Sequence, residues 1–119
     1  MREISHTYEE NKLCLRLSGE VDHHSAGELR READRLICLY RPKEVLLDLS
    51  QIDFMDSSGL GLILGRLARS ESIGACFAVL DPAPRVERIL TMAGSEKIIA
   101  VKKTKGKTPE YSLGKDTKK

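Results

Sequence analysis

Short apolar runs alternate with amphipathic helical segments along this chain, and the alternation limits the possible folds more than any other feature. Residues 44–49 (EVLLDL) and 76–80 (CFAVL) are nearly continuous apolar runs of strand length, as expected for strands buried on both faces. Apolar residues at helical spacing lie between and after them. Strands that alternate with helices form right-handed crossovers and a mainly parallel sheet, so we predict an α/β protein.

The whole pattern predicts a mixed, mainly parallel sheet with three to four helices packed on it. The first strand is expected to pair antiparallel at an edge with the second strand, which Gly19 ends. Ser25 and Glu28 have the spacing of a capping box at the start of the first helix. Strands are predicted at 3–8, 13–17, 44–49, 76–80 and 97–101, and helices at 25–41, 57–74 and 84–93. The second helix has apolar residues at helical spacing, which are Leu60, Ile63, Leu64, Leu67 and Ala68.

Length and charge favour one domain with a basic extension. The chain has 119 residues, the size of a single domain, which we place at residues 1–101. Residues 102–119 hold seven lysines and two acids, whereas the remainder holds 13 bases and 16 acids. We interpret this tail as a flexible, solvated end that binds neither nucleic acid nor membrane. Because no apolar run approaches roughly 18 residues and no signal-peptide pattern is present, a cytoplasmic protein is expected.

The three cysteines do not indicate a metal or redox site. Cys14, Cys38 and Cys76 are far apart, none belongs to a CxxC pair, and none lies at ligand spacing from a histidine. All three fall within apolar patterns, so they are predicted to be reduced thiols of the core. We expect neither a bound metal nor a cofactor.

The stretch 53–66 (DFMDSSGLGLILGR) carries the candidate site. Asp56 and the two serines after it are good N-caps, because their side-chain oxygens accept the unpaired N–H groups at a helix start. Capping does not explain the glycines, since each glycine inside a helix costs about 1 kcal/mol relative to alanine. Gly61 and Gly65 lie four residues apart on one face and leave room there for another backbone, either the protein's own sheet or a partner.

Three chemical roles are open for this stretch. A phosphate-binding loop is disfavoured, because G-x-G-x-x-x-G matches neither nucleotide motif and Asp56 would repel a phosphate. A serine nucleophile would lack the G-x-S-x-G motif, and its base would have to be His23 or His24. Those histidines follow Asp22 and would meet Ser57 only if both strand ends share one sheet edge. A serine that is itself phosphorylated fits better, because the added charge changes a binding surface without unfolding the helix.

These residues resemble those of a known family. Residues 54–61 (FMDSSGLG) and 63–66 (ILGR) are similar to the STAS-domain anti-sigma factor antagonists, particularly the sporulation members that act on an anti-sigma-F factor. Residues 13–24 (LCLRLSGEVDHH) resemble the second strand and following loop of that branch, and 92–94 (MAG) resemble the end of its third helix. The resemblance covers residues 10–101.

The resemblance implies a small, non-catalytic α/β domain that switches partners. Its unphosphorylated form is expected to bind an anti-sigma factor that is also a serine kinase, which frees the sigma factor. Phosphorylation by that kinase would end the binding, a serine phosphatase would restore it, and ATP would belong to the kinase. We expect a monomer when the protein is free. By resemblance the phosphorylation site is Ser57, and the partner-binding residues are Asp22, Asp56, Ser58, Gly59, Leu60 and Gly61.

Three points stay open at this level. Ser58 competes with Ser57 as the acceptor. The lysine-rich segment 102–119 has no counterpart in the family pattern, and Asp48 has no assigned role. The alternative function is a non-phosphorylated STAS scaffold in a stress-signalling or transporter-associated assembly.

Overall fold

Five strands form one sheet, and they lie in it in the same order as in the chain. The computed structural model describes residues 3–104. β1 pairs antiparallel with β2, and all the other neighbouring strands pair parallel, as predicted. The strands are β1 (Glu3–Glu9), β2 (Lys12–Val21), β3 (Glu44–Met55), β4 (Cys76–Leu80) and β5 (Ala100–Lys102).

Three α-helices connect the parallel strands: α1 (Ala26–Tyr40), α2 (Ser57–Ser72) and α3 (Pro84–Met92). Each begins where a strand has just ended, so all three start at one edge of the sheet, here called the carboxyl edge. Pro84 occupies the first turn of α3, as predicted. A 3-10 turn at Ser95–Lys97 takes the first part of the predicted last strand.

A single core lies between the sheet and the helices. Leu13, Leu15 and Leu17 of β2 point into it and are almost completely buried. Burying each such side chain contributes about 1.5–3 kcal/mol. α1 adds a stripe of buried residues at helical spacing, which are Leu29, Ala33, Leu36 and Ile37.

β2 does not end at Gly19, and that prediction was wrong. Gly19 has a φ of 86°, and the register with β3 shifts on both sides of it. A bulge bends a strand without ending it, so β2 continues to Val21. As a result Val21 pairs with Met55, and β2 and β3 end side by side at the carboxyl edge.

α2 buries a different stripe from the one its leucines suggested. Leu60, Leu64 and Leu67 are half-buried and Ala68 is exposed, although Ile63 is buried as expected. The reason is that α2 contacts both the sheet and α1, and polar residues fill the side towards α1. The buried positions are Gly59, Leu62, Ile63, Arg66 and Ser70.

The prediction that all three cysteines lie in the core was wrong. Cys38 and Cys76 are exposed and Cys14 is half-buried, and all three thiols are free. Burial, and next the nearby charge of Asp48, raise the pKa of the Cys14 thiol. Asp48 is itself buried, and its carboxylate accepts hydrogen bonds from Arg16 Nε (3.1 Å) and from the backbone of Ser50 (3.0 Å).

The first residues of the predicted tail contact the domain. Lys102 belongs to β5 and forms an ion pair with Glu44 at 3.1 Å. The Thr104 backbone N–H donates to Asp81 Oδ1 at 2.6 Å. The rest of the predicted tail, residues 105–119, lies outside the described residues. Between residues 3 and 104, no helix has the length and apolar character needed to cross a bilayer.

Gly59→Ala is expected to destabilise the fold by about 1–3 kcal/mol, as overpacked core substitutions do. The added Cβ would collide with the Met55 side chain and approach Val21 Cγ1 to 3.3 Å. Gly65→Ala is the matched control, because a Cβ there meets no atom within 4 Å and the helix gains up to about 1 kcal/mol. Urea denaturation measures the free energy of unfolding of both variants. Equal values would show that the Met55 side chain moves aside without a loss of stability.

Candidate functional site

Two chain segments meet where β2 and β3 end. The backbone N–H of Asp56 donates to the carbonyl of Val21 at 3.2 Å. The segment after β2 begins with Asp22, and the segment after β3 leads directly into Ser57. The parallel topology therefore brings the two predicted parts of the site, Asp22 and the start of α2, to the same edge of the sheet.

Asp56 caps α2. Its backbone is extended, and its Oδ1 accepts the N–H of Ser58 at 2.8 Å. Its carbonyl accepts the N–H of Gly59 at 2.9 Å. Because a carboxylate satisfies the free N–H groups at the helix start, neither serine hydroxyl is needed as a cap.

Ser57 and Ser58 differ in exposure. Ser57 is the first residue of α2 and is exposed, and within residues 3–104 its hydroxyl has no hydrogen-bond partner. Ser58 is half-buried and turned towards α1. The Ser57 hydroxyl is thus the one presented to solvent.

Asp22 shapes the turn before α1. Its Oδ1 accepts the backbone N–H groups of His24 (2.9 Å) and Ser25 (3.0 Å). These bonds, first that from Ser25, lower the pKa of the Asp22 carboxyl. The turn holds the carboxylate in place at the carboxyl edge.

The predicted capping box of Ser25 and Glu28 does not form. Ser25 is at the N-cap position, but its side chain makes no capping hydrogen bond. The buried Ser25 hydroxyl donates instead to the carbonyl of Glu20 at 2.9 Å and accepts the N–H of Asp22 at 3.1 Å. This hydroxyl therefore links the end of β2 to the start of α1. The turn before α1 is held instead by the hydrogen bonds that Asp22 accepts.

A groove of roughly 420 Å³ separates the first turns of α1 and α2. We call it the α1–α2 groove. Gly61 is exposed there, and a Cβ at Gly61 or Gly65 would meet no atom within 4 Å. Close approach of the protein's own sheet therefore does not explain these two glycines, and space for a partner remains. The groove is lined by His23, Ala26, Gly27, Arg30, Ser58, Gly61 and Leu62.

Phe54 and Arg30 are two surface features that sequence reasoning missed. Phe54 is 47% exposed and lies two residues before Asp56, an unusual position for an aromatic side chain. Alternation with the buried Ile52 places Phe54 on the core side, but the register shift at Glu20 turns it outward. Arg30 reads as a solvated position of an amphipathic helix, and only the packing of α1 beside α2 places it in the groove.

The histidines are not arranged to activate a serine. The rings of His23 and His24 lie 4.0 Å apart. In the part of the chain that the structure describes, no hydrogen bond joins either ring to Ser57, the contact that a serine nucleophile needs. Across the same residues, no three histidine, cysteine or acidic side chains are grouped to hold a metal ion.

The Asp22 carboxyl is expected to titrate below the ordinary aspartate pKa of 3.8, because two N–H groups donate to its charged form. A carboxyl group whose pKa is lower in the folded than in the unfolded protein stabilises the fold at pH values above its unfolded-state pKa. This stabilisation is lost as the pH falls through the folded-state pKa. NMR titration of the side-chain carbon measures the midpoint. A midpoint of 3.8 or higher would mean that the turn opens in solution.

Several known proteins that are similar to this chain are anti-sigma factor antagonists. Residues 3–108 match the family model described as the STAS domain. An anti-sigma F factor antagonist from Paenibacillus polymyxa is 43% identical over 89 residues, which cover 75% of this chain and 76% of that protein. The anti-sigma factor antagonist SpoIIAA in its unphosphorylated form superposes with a TM-score of 0.71 at 25% identity, covering 95% of this chain and 93% of the other.

A second solved structure shows the same fold. The Bacillus cell fate determinant SpoIIAA in its phosphorylated form has a TM-score of 0.66 at 24% identity, and the match covers 95% of this chain and 96% of that one. The match to the family model extends over most of the chain, and the Paenibacillus relative is similar over three quarters of its length. The chain belongs to the STAS domain family, in which its relatives are anti-sigma factor antagonists.

Proposed function

We propose that this protein is an anti-sigma factor antagonist controlled by phosphorylation of Ser57. Its unphosphorylated form binds an anti-sigma factor that is also a serine kinase, and this binding frees the sigma factor in the cytoplasm. The kinase then transfers phosphate to Ser57 and the complex separates. A serine phosphatase removes the phosphate and returns the protein to its binding form.

This proposal rests on the different roles of Asp56 and Ser57 at the start of α2. Asp56 caps α2 through its hydrogen bond to the N–H of Ser58, so the Ser57 hydroxyl is exposed and unused by the fold. An acceptor hydroxyl must enter the active site of a kinase, and an exposed one at a helix start can do so without local unfolding. Ser58, which is half-buried in the α1–α2 groove, is the poorer acceptor.

A phosphate at Ser57 acts on the surface more than on the fold. It adds a charge of about −1.5 to −2. The positive end of the α2 dipole favours that charge by about 0.3–1 kcal/mol, whereas the Asp56 carboxylate opposes it. Because these effects largely offset each other, α2 stays folded. A partner surface that fits the neutral hydroxyl must then desolvate a dianion, and binding is lost.

The proposed partner surface comprises the two acids and the first turn of α2. Asp22 is held by its turn and Asp56 by its capping bond, so both carboxylates have fixed positions. Gly61 is exposed and lets a partner's backbone approach closely. Leu60 and Ser58 are half-buried, and the partner contacts the atoms of these side chains that are exposed. Gly59 is buried against Met55, so it contributes by seating α2 on the sheet.

Incubation with its anti-sigma kinase and ATP is expected to add one phosphate to the protein. Intact-mass spectrometry measures the gain. Ser57→Ala is expected to gain none, and Ser58→Ala, the matched control one residue on, is expected to gain one. Phosphate on Ser57→Ala but not on Ser58→Ala would move the acceptor to Ser58. An unmodified wild-type protein beside an active kinase would instead favour a STAS scaffold that is not phosphorylated.

Gly61→Ala is expected to bind the anti-sigma kinase about tenfold more weakly, since a methyl at a close contact costs on the order of 1–3 kcal/mol. The same change is expected to stabilise the free protein by up to about 1 kcal/mol, because nothing lies within 4 Å of the added Cβ. Calorimetry measures the affinity and urea denaturation the stability. Gly65→Ala, one turn further along α2, is the control that should gain stability and keep its affinity; equal affinities of the two variants would remove Gly61 from the interface.

A further inference from the structure

The α1–α2 groove is open at the carboxyl edge, and an ion pair between a buried arginine and a half-buried aspartate joins the two helices beneath it. Residues three or four apart on a helix form one stripe, and two such stripes face each other here. In each stripe the first two residues along the chain line the groove, and the third belongs to the ion pair. The stripe of α1 is Gly27, Arg30 and Asp34, and that of α2 is Ser58, Leu62 and Arg66.

Arg66 is buried in an unusual way for an arginine. Its side chain is 6% exposed, and its Nε lies 3.1 Å from Asp34 Oδ1. This contact is an ion pair without the alignment of a hydrogen bond, because within residues 3–104 neither Arg66 Nε nor Asp34 Oδ1 has a hydrogen-bond partner. Arg66 Nη1 and the buried Ser70 hydroxyl, one turn further on, lack a partner as well. Burial lowers the pKa of Arg66, whereas the charge of Asp34 raises it. Arg69 approaches the same carboxylate oxygen more loosely, at 3.7 Å.

Such a pair is poorly explained by stability alone. Desolvating a charged group and leaving its buried N–H groups without hydrogen bonds costs more than one ion pair returns, so apolar side chains of similar volume are often as stable or more stable. What a charged pair does supply is a fixed geometry between its two partners. Here it fixes one point on α1 relative to one point on α2, at about 12 Å along α1 from its first residue at 1.5 Å per residue.

The groove above the pair depends on that fixed point. Gly27 and Gly61 bring no side chains into it, so no side-chain contact between these two positions sets the distance between the helices. The start of α1 is held to β2 by the bond from the Ser25 hydroxyl to Glu20, and the start of α2 by the bond from the Asp56 N–H to Val21. The next cross-helix constraint along the facing stripes is the contact of Arg66 with Asp34.

We infer that Arg66 and Asp34 are positioning residues, which set the width of the α1–α2 groove and thereby the fit of the anti-sigma kinase. This inference rests on the proposed function. Neither residue lies in the proposed partner surface, so both act through the placement of Gly27, Ser58 and Gly61. When the residues that support a binding site are replaced, the binding residues are still present but the distances between them change.

The test replaces the pair by apolar residues of similar size, Asp34→Leu with Arg66→Met. The control is the ion pair Glu32–Arg35, which lies on the exposed side of α1 with a distance of 2.7 Å, changed to Glu32→Gln with Arg35→Gln. Three measurements are made on each variant: the urea midpoint, the amide ¹H and ¹⁵N chemical shifts of Gly27, Ser58 and Gly61, and the affinity for the anti-sigma kinase by calorimetry.

The apolar variant is expected to unfold at the same or a higher urea concentration, to shift all three amides, and to bind about tenfold more weakly. The control variant should match the wild type in amide shifts and affinity. Unmoved amides in the folded apolar variant would overturn the inference, and so would moved amides with wild-type affinity. A wild-type protein that does not bind the kinase would refute the proposed function, and the amide shifts alone would then decide whether the pair sets the groove.

Should the apolar pair fail to fold, Asp34→Asn takes its place, because it removes the charge of the acceptor and keeps its shape. The same amide shifts and the same loss of affinity are expected. Wild-type amide shifts in this variant would show that the charge of Asp34 does not hold the helices in place, and would overturn the inference as well.

Discussion

The parallel pairing of β2 with β3 is the interaction on which the rest of the structure depends. These two strands form the centre of the core, and their bulged register lets both end at the same level. The backbone bond from Asp56 to Val21 closes the pairing at the carboxyl edge. Because the turn before α1 and the cap of α2 follow directly, the position of every residue of the candidate site derives from this one alignment.

Hydrophobic periodicity predicted the order and type of nearly all the elements, since strand and helix periods differ clearly over long segments. β3 was predicted too short because an apolar run detects only the part covered on both faces. Beyond Leu49 the strand continues with exposed residues such as Gln51 and Asp53. Cysteines counted as apolar were placed inside, although helix position puts Cys38 on the surface.

The site was predicted in outline, and its missing parts depend on tertiary contacts. Topology alone placed Asp22 and Ser57 at one edge. It did not reveal that Ser25 bonds to Glu20, because several acceptors compete for a serine hydroxyl and sequence does not rank them. Nor did hydropathy identify Arg66 as buried, since its partner Asp34 comes from a different helix. The glycines differ for the same reason: a Cβ added at Gly59 would collide with Met55, whereas one added at Gly61 would meet no atom within 4 Å.

The two exposed thiols lie far from Ser57, the proposed phosphorylation site. Cys76 is the first residue of β4 and Cys38 lies near the end of α1, so both belong to the edge opposite Ser57. A fluorophore coupled to Cys38 or Cys76 therefore leaves the proposed partner surface free. Cys14 reacts more slowly with such a reagent, because its thiol is half-buried and the pKa of that thiol is raised. The chain thus carries its own attachment points for following the proposed exchange of partners in real time.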